Sequence, residues 1–139
     1  MNRRKVLFLC TGNSCRSQMA EAIVNKKMSA SWQAFSAGTK PIGYVHPFAL
    51  RVLSEIGIHH VGKSTCVNDF INEDFDLVVT VCDAAAEECP LWLGCERTIH
   101  LGFPDPTAAV GSEIQILDEF RSVRDAILIQ IPELLADYN

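Results

Sequence analysis

The succession of apolar segments predicts an α/β domain built on a four-stranded parallel sheet with helices on both faces. Short apolar runs alternate with segments of helical period, and strands joined in this order pair parallel through right-handed crossovers. Two of the runs, Val6-Leu7-Phe8-Leu9 and Leu77-Val78-Val79, are continuous rather than alternating, as strands covered on both faces require.

In chain order, the first strand is expected over Lys5 to Leu9. A helix follows from Ser17 to Met28, with Met19, Ala20, Ile23 and Val24 on one face. The second strand is read over Trp32 to Ser36. The next helix spans Pro47 to Ile56, with Phe48, Val52, Leu53 and Ile56 apolar, Pro47 suited to a first turn and Gly57 to a stop. Strands over Asp76 to Val81 and Thr98 to Leu101 complete the sheet. A long helical pattern from about Ser112 to Leu135 carries Ile116, Phe120, Val123, Ile127 and Leu134, and Pro132 is expected to kink it. The 139 residues read as one domain, 1–139, large enough to bury roughly 70% of the unfolded surface without metal or disulfide support.

Composition narrows the function classes. The net charge of -5 comes with no Lys/Arg run or basic stripe that compensates it, which argues against a nucleic-acid partner. The basic start Arg3-Arg4-Lys5 precedes an apolar stretch of only a few residues, too short for a signal peptide or membrane span. A soluble cytoplasmic monomer is expected, whose six cysteines sit in a reducing compartment where thiols are more often catalytic or redox-active than structural.

In an open parallel sheet, ligands bind beyond the carboxyl ends of the strands where strand order switches. Cys10, Cys82 and Gly102 all follow strands at that end. Directly after the first strand comes Cys10-Thr11-Gly12-Asn13-Ser14-Cys15-Arg16-Ser17. A tight loop of Thr11, Gly12, Asn13, Ser14 and Cys15 turns successive N–H groups and a helix N-terminus toward one point, a nest for a phosphate-like anion. Arg16 can grip two oxygens of such an anion. The same field lowers the pKa of Cys10 and favours the nucleophilic thiolate, to which the Ser17 hydroxyl is expected to donate. Gly12 suits the sharp turn, and Asn13 tolerates a left-handed backbone or ties the loop down through its amide. The plainer alternative, a buried cysteine ending a strand, leaves the company of Gly, Asn, Ser and Arg unexplained.

This segment resembles the C-x5-R-S signature of the low-molecular-weight protein tyrosine phosphatase fold, shared by small phosphatases and thioredoxin-coupled arsenate reductases. The resemblance follows the order of elements over nearly the whole chain. A second set of residues separates the two branches. A phosphatase needs one nucleophilic thiol, whereas the arsenate reductases carry in addition a C-x6-C pair, seen here as Cys82 and Cys89. The Ala/Glu-rich spacer between them favours helix. If it is helical, the two cysteines stand roughly 10 Å apart along the axis, beyond the about 7 Å between alpha carbons that a disulfide tolerates. Bonding would then require the spacer to unwind. The alternatives are that both are buried packing residues or half of a zinc site, and zinc is the weaker of these because no CxxC or paired HxxxH spacing accompanies the pair.

The resemblance implies a relay. Cys10 attacks arsenate, Asp105 of the Asp105-Pro106 pair protonates the departing oxygen, and Cys82 and then Cys89 take over the disulfide, which thioredoxin reduces. No bound metal or organic cofactor is implied. Some members of that branch bind potassium beside the loop, through residues matching Asn13, Glu21 and Ser36 and an aspartate where this chain reads Ser64-Thr65-Cys66; a structural role for Glu21 and Ser36 is ranked first. The alternatives are a phosphatase using Cys10, Arg16 and Asp105, with weak phosphatase activity also compatible with arsenate reduction, and a non-catalytic thiol sensor or oxyanion binder. Tyr44 and Trp92 are candidates for the mouth of the site or ordinary packing residues. Cys66 and Cys95 are read as incidental core or surface thiols, and the four histidines as surface or structural residues.

Overall fold

A computed structural model describes residues 3–88 and 97–138. Its elements are β1 (Arg4–Cys10), α1 (Arg16–Lys27), β2 (Trp32–Gly38), α2 (Pro47–Glu55), β3 (Leu77–Thr80), α3 (Asp83–Glu88), β4 (Thr98–His100) and α4 (Glu113–Ala136), with 3-10 turns at Val67–Phe70 and Pro106–Ala108. All four expected strands form, and all pair parallel in the order β2-β1-β3-β4. The chain leaves β1 for β2 on one side and returns to β3 on the other. The carboxyl end of β1, at Cys10, is therefore the switch point.

β2 extends past Ser36 because β1 continues to Cys10, which pairs with Gly38. Gly38 N also donates to Thr65 O at 2.8 Å, drawing residues 63–66 alongside the end of β2. Successive side chains of a strand point to opposite faces. Every side chain from Val6 to Leu9 and from Leu77 to Val79 is inaccessible to solvent, so both faces of the central strands are covered. Met19, Ile23 and Val24 of α1 and Phe120, Ile127 and Ile131 of α4 are buried in the same core. At about 25 cal/mol per Å² of apolar surface, this burial is the main force holding the sheet and helices together.

The helix ends follow the sequence signals. His46 Nδ1 accepts from Phe48 N at 3.0 Å to cap α2, Pro47 occupies its first turn, and Gly57 leaves it with φ +81°. Ser112 and Gln115 close a capping box at the start of α4, with bonds of 3.2 and 2.8 Å. Pro132, where a kink is expected, lies inside α4, which runs to Ala136 as the helical pattern predicts. Ile131 and Leu135, buried on either side of the proline, hold the last turn against the core.

An ion cluster joins α2 to α4. Glu55 accepts from Arg121 Nε and a terminal nitrogen at 3.0 and 2.8 Å, and from Arg124 at 2.8 Å. Arg124 also donates to Val52 O at 3.0 Å. The Arg121 hydrogen bonds, followed by those of Arg124, hold the Glu55 carboxyl down at about 2. A carboxyl depressed on folding contributes stability that is present above its unfolded pKa and lost as pH falls through the folded one. Replacing Glu55 with Gln is expected to lower Tm at neutral pH by ~2–4 °C. The difference from the native protein should narrow as pH falls from about 4.5 toward about 2 in parallel thermal melts.

Candidate active site

The loop after β1 owes its shape to where its carbonyls go. Cys10 O accepts from Thr39 N at 3.1 Å, Thr11 O from Lys40 N at 2.9 Å, Gly12 O from Ile42 N at 3.1 Å, Ser14 O from His46 N at 3.0 Å and Cys15 O from Met19 N at 2.9 Å. Asn13 O accepts from Gln18 Nε2 at 3.1 Å. None of the described peptides is cis, and in a trans peptide the N–H points opposite the C=O. Carbonyls drawn outward therefore turn the N–H groups of residues 11–16 to the inner side, where α1 begins. The loop so formed is a concave set of donors at a helix N-terminus, suited to a tetrahedral anion.

The left-handed residue is Asn13, at φ 49°. Its amide also ties the loop down: Nδ2 donates to Ser17 Oγ at 2.8 Å, and Oδ1 accepts from Thr65 N at 2.8 Å and Gln18 Nε2 at 3.1 Å. Gly12 has no positive φ, and a Cβ there would press only on Ile42 at 3.3 Å. The glycine required by close approach is Gly38, where a Cβ would lie 2.5 Å from Thr11 O. The Ser17 hydroxyl oxygen accepts the Asn13 bond, which leaves its proton for the donation to Cys10 expected from the sequence.

Cys10 and Cys82 are both buried, and each thiol perturbs the ionisation of the other. Thr11 Oγ1 lies 3.4 Å from Cys82 Sγ. Cys82 is pulled down, first by its interaction with Cys10 and then by the Thr11 hydroxyl and the Ala85 N–H. Cys10 is pushed up by the same interaction and by burial, while Arg16 and the Thr11 N–H pull it down. The two therefore ionise as a coupled pair. Cys15 is buried and pushed up to about 11 by that burial, which keeps it a thiol at neutral pH. Cys10, Cys15, Cys66 and Cys82 are free thiols. Cys66 is half-buried and lies in the bridge with Gly38. The α3 spacer after Cys82 is helical as expected, whereas Cys89, Trp92 and Cys95 lie outside the described residues.

Arg16 donates to Phe103 O at 3.1 Å, which aligns the guanidinium across the loop, and its buried Nε has no partner among the described residues. A buried donor without an acceptor is costly, and an anion in the loop would supply one. Asp105 stands on the rim, its Oδ2 3.9 Å from Arg16. Its Oδ1 accepts from the N–H and hydroxyl of Thr107 at 2.9 and 2.6 Å, so the carboxyl is fixed while half-exposed. A cavity of about 290 Å³ opens over Cys10 and Arg16 between Asp105, Ile42, Tyr44 and His46. A wider cleft of about 710 Å³ reaches Arg16 and Asp105 from the Cys82 side.

The residues matched to a potassium site engage one another. Ser36 donates to Glu21 Oε1 at 3.1 Å, and His60 Nε2 lies 3.7 Å from Glu21 Oε2. Asn13 Oδ1 is occupied by two N–H donors. A cation needs inward-facing oxygens with free lone pairs, and this arrangement of N–H, O–H and imidazole groups does not fit one. Burial pushes Glu21 up to about 7, against the Ser36 bonds, so a neutral carboxylic acid is well populated there. Among the described residues no group of three or more His, Cys, Asp or Glu is placed to hold a metal ion.

Several residues of the site gave no signal in the sequence. His46 caps α2 and lines the cavity, and burial holds its imidazole below the usual range. His100 bridges Thr80 Oγ1 at 2.8 Å and Asp83 Oδ1 at 2.9 Å, fastening the start of α3 beside Cys82. Gln18 and His60 lie behind the loop. Three of the four histidines are thus structural residues held by hydrogen bonds in or around the site. Isolated polar residues far apart in sequence carry no spacing pattern, so only the fold reveals their convergence.

The sequence pattern of the family described as low molecular weight phosphotyrosine protein phosphatase matches residues 5–139. The chain is 42% identical over 131 residues to an arsenate reductase of Halalkalibacterium halodurans and 40% identical over 131 residues to one of Bacillus subtilis, each alignment covering 91% of both chains. A solved structure of an arsenate reductase in the phosphate binding state superposes with a TM-score of 0.83 at 30% identity, over 98% of this chain and 99% of the other. With its loop, sheet order and sequence all in agreement, the chain belongs to the low molecular weight phosphotyrosine protein phosphatase family, alongside members named arsenate reductases.

Proposed function

We propose that this protein reduces arsenate to arsenite by a disulfide relay through Cys10, Cys82 and Cys89, regenerated by thioredoxin in the cytoplasm. The observation that carries the reading is a second buried thiol, Cys82, which sits 3.4 Å from Thr11 Oγ1 of the oxyanion loop and whose ionisation is tied to that of Cys10. Hydrolysis of a phosphate ester has no use for that second thiol.

Arsenate enters the loop against the N–H groups of residues 11–16 and the Arg16 guanidinium. With the anion bound, Cys82 holds the proton of the coupled pair and Cys10 is the thiolate, stabilised by Arg16 and the Thr11 N–H. Cys10 attacks arsenic, and Asp105 delivers a proton so that the departing oxygen leaves as water. Cys82, eased toward thiolate by Thr11 and the Ala85 N–H, then attacks Cys10 Sγ. The sulfur–arsenic bond breaks, its electron pair stays on arsenic, and arsenite leaves as a Cys10–Cys82 disulfide forms. Cys89 attacks Cys82, freeing Cys10, and the resulting Cys82–Cys89 disulfide is reduced by the external dithiol. Two thiols are oxidised for each arsenic(V) reduced to arsenic(III), so electrons balance.

The cavity lined by Ile42, Tyr44 and His46 favours a second reading, in which the same Cys10 adduct forms from a phosphate monoester and water resolves it. The two readings part at Cys82. Arsenate-dependent NADPH consumption with thioredoxin and thioredoxin reductase is expected for the native protein and is expected to vanish in Cys82→Ser; hydrolysis of an aryl phosphate that survives in Cys82→Ser, with no arsenate turnover by the native protein, would select the phosphatase. Cys89→Ser should release about one arsenite per protein and stop, and continued turnover would refute the third step. Arg16→Lys keeps the charge but loses the fork, and kcat is expected to fall on the order of 10²-fold in the same coupled assay.

A further inference from the structure

We propose that His60 is a positioning residue for the anion-binding loop, acting through Gln18 on Asn13. Gln18 is fully buried in α1. Its Nε2 faces three oxygens, Asn13 O at 3.1 Å, Asn13 Oδ1 at 3.1 Å and Lys63 O at 3.0 Å. Two are carbonyls of the backbone and one of an amide, and all can only accept. The NH₂ side of the Gln18 amide is therefore fixed, and Oε1 points the other way, 2.8 Å from His60 Nε2. An amide oxygen can only accept as well, so His60 carries its proton on Nε2 and donates.

The backbone leaves room for this contact and little else. A Cβ on Gly62 would lie 2.2 Å from His60 Nε2 and 2.4 Å from Gln18 Oε1. The imidazole reaches the amide only because residue 62 has no side chain. The chain of contacts then runs from His60 to Gln18, from Gln18 to both oxygens of Asn13, and from Asn13 to Ser17 Oγ and Thr65 N. Asn13 is the one described non-glycine residue with positive φ, and the peptide following it carries the Ser14 N–H. Without the His60 donor, Gln18 Oε1 is a buried acceptor lacking a partner. Rotation of the amide to satisfy it would set oxygen against the oxygens of Asn13 and Lys63. Either outcome loosens the residue that sets the direction of the loop's donors.

This inference rests on the proposed role of the loop as an oxyanion cradle, so the test uses inorganic phosphate binding by the full-length protein, read by titration calorimetry, with Cys10 thiolate absorbance followed alongside. Phosphate binding by the native protein is expected, and its failure would remove the cradle itself. Given native binding, His60→Leu, which fills the space but cannot donate, is expected to weaken phosphate roughly 10-fold and to alter the thiolate signal. His60→Gln, which restores an N–H donor, is expected to recover affinity to within about twofold. In a double variant with Gln18→Met, His60→Leu should add nothing to the loss caused by Gln18→Met alone. Gly62→Ala, which keeps both side chains but drives them apart, is expected to weaken phosphate as His60→Leu does. Native affinity in His60→Leu or Gly62→Ala, equal losses in His60→Leu and His60→Gln, or additive losses in the double variant would each overturn the positioning role.

Discussion

Everything the site can do depends on the outward pairing of six consecutive carbonyls, from Cys10 to Cys15. A short loop that turned even some of those oxygens inward would repel an anion. Here the 39–46 segment supplies the N–H groups of Thr39, Lys40, Ile42 and His46 to four of them, and α1 supplies Met19 N and the Gln18 amide to the other two. The trans peptide then commits the N–H groups of residues 11–16 to the opposite side. Anion affinity thus follows from covalent geometry once the outer partners are in place, and the glycine at Gly38 is what lets the β2 end approach Thr11 closely enough.

The fold provides the rigid frame for this pairing. β1 is buried on both faces and flanked by parallel neighbours, so Cys10 leaves the sheet at a fixed point. β3 runs beside it in the same direction and delivers Cys82 to the same rim, and β4 delivers the Gly102–Asp105 loop. A parallel arrangement concentrates three chain segments, distant in sequence, at the carboxyl ends of adjacent strands. His100, bonded to Thr80 and Asp83, fastens the last two of these together.

The coupling of Cys10 and Cys82 gives the proposed chemistry its economy. One negative charge held by two coupled thiols passes between them with a single proton. Each sulfur can therefore serve as nucleophile in turn without a separate base. Arg16 and the loop N–H groups favour charge on Cys10, whereas Thr11 Oγ1 and the start of α3 favour it on Cys82.

Much of this was legible from residues alone, because the signals are local. The continuous runs at Val6 to Leu9 and Leu77 to Val79, the Pro47 and Gly57 helix bounds and the Cys10 to Ser17 motif each express a backbone preference or a burial pattern within a few residues, and the fold follows from their order. The role of Gly38 over Gly12 was not legible, since it depends on how close one strand end comes to Thr11. The sequence by itself determined the element order, the nucleophile, the guanidinium and the paired thiols as candidates. Only the tertiary structure decided that Ser17 turns to Asn13, that Glu21 faces Ser36 and His60 in an arrangement unsuited to a cation, and that Gln18 and His60 stand behind the loop. Hydrogen-bond partners separated by dozens of residues are chosen by packing, and no local pattern encodes them.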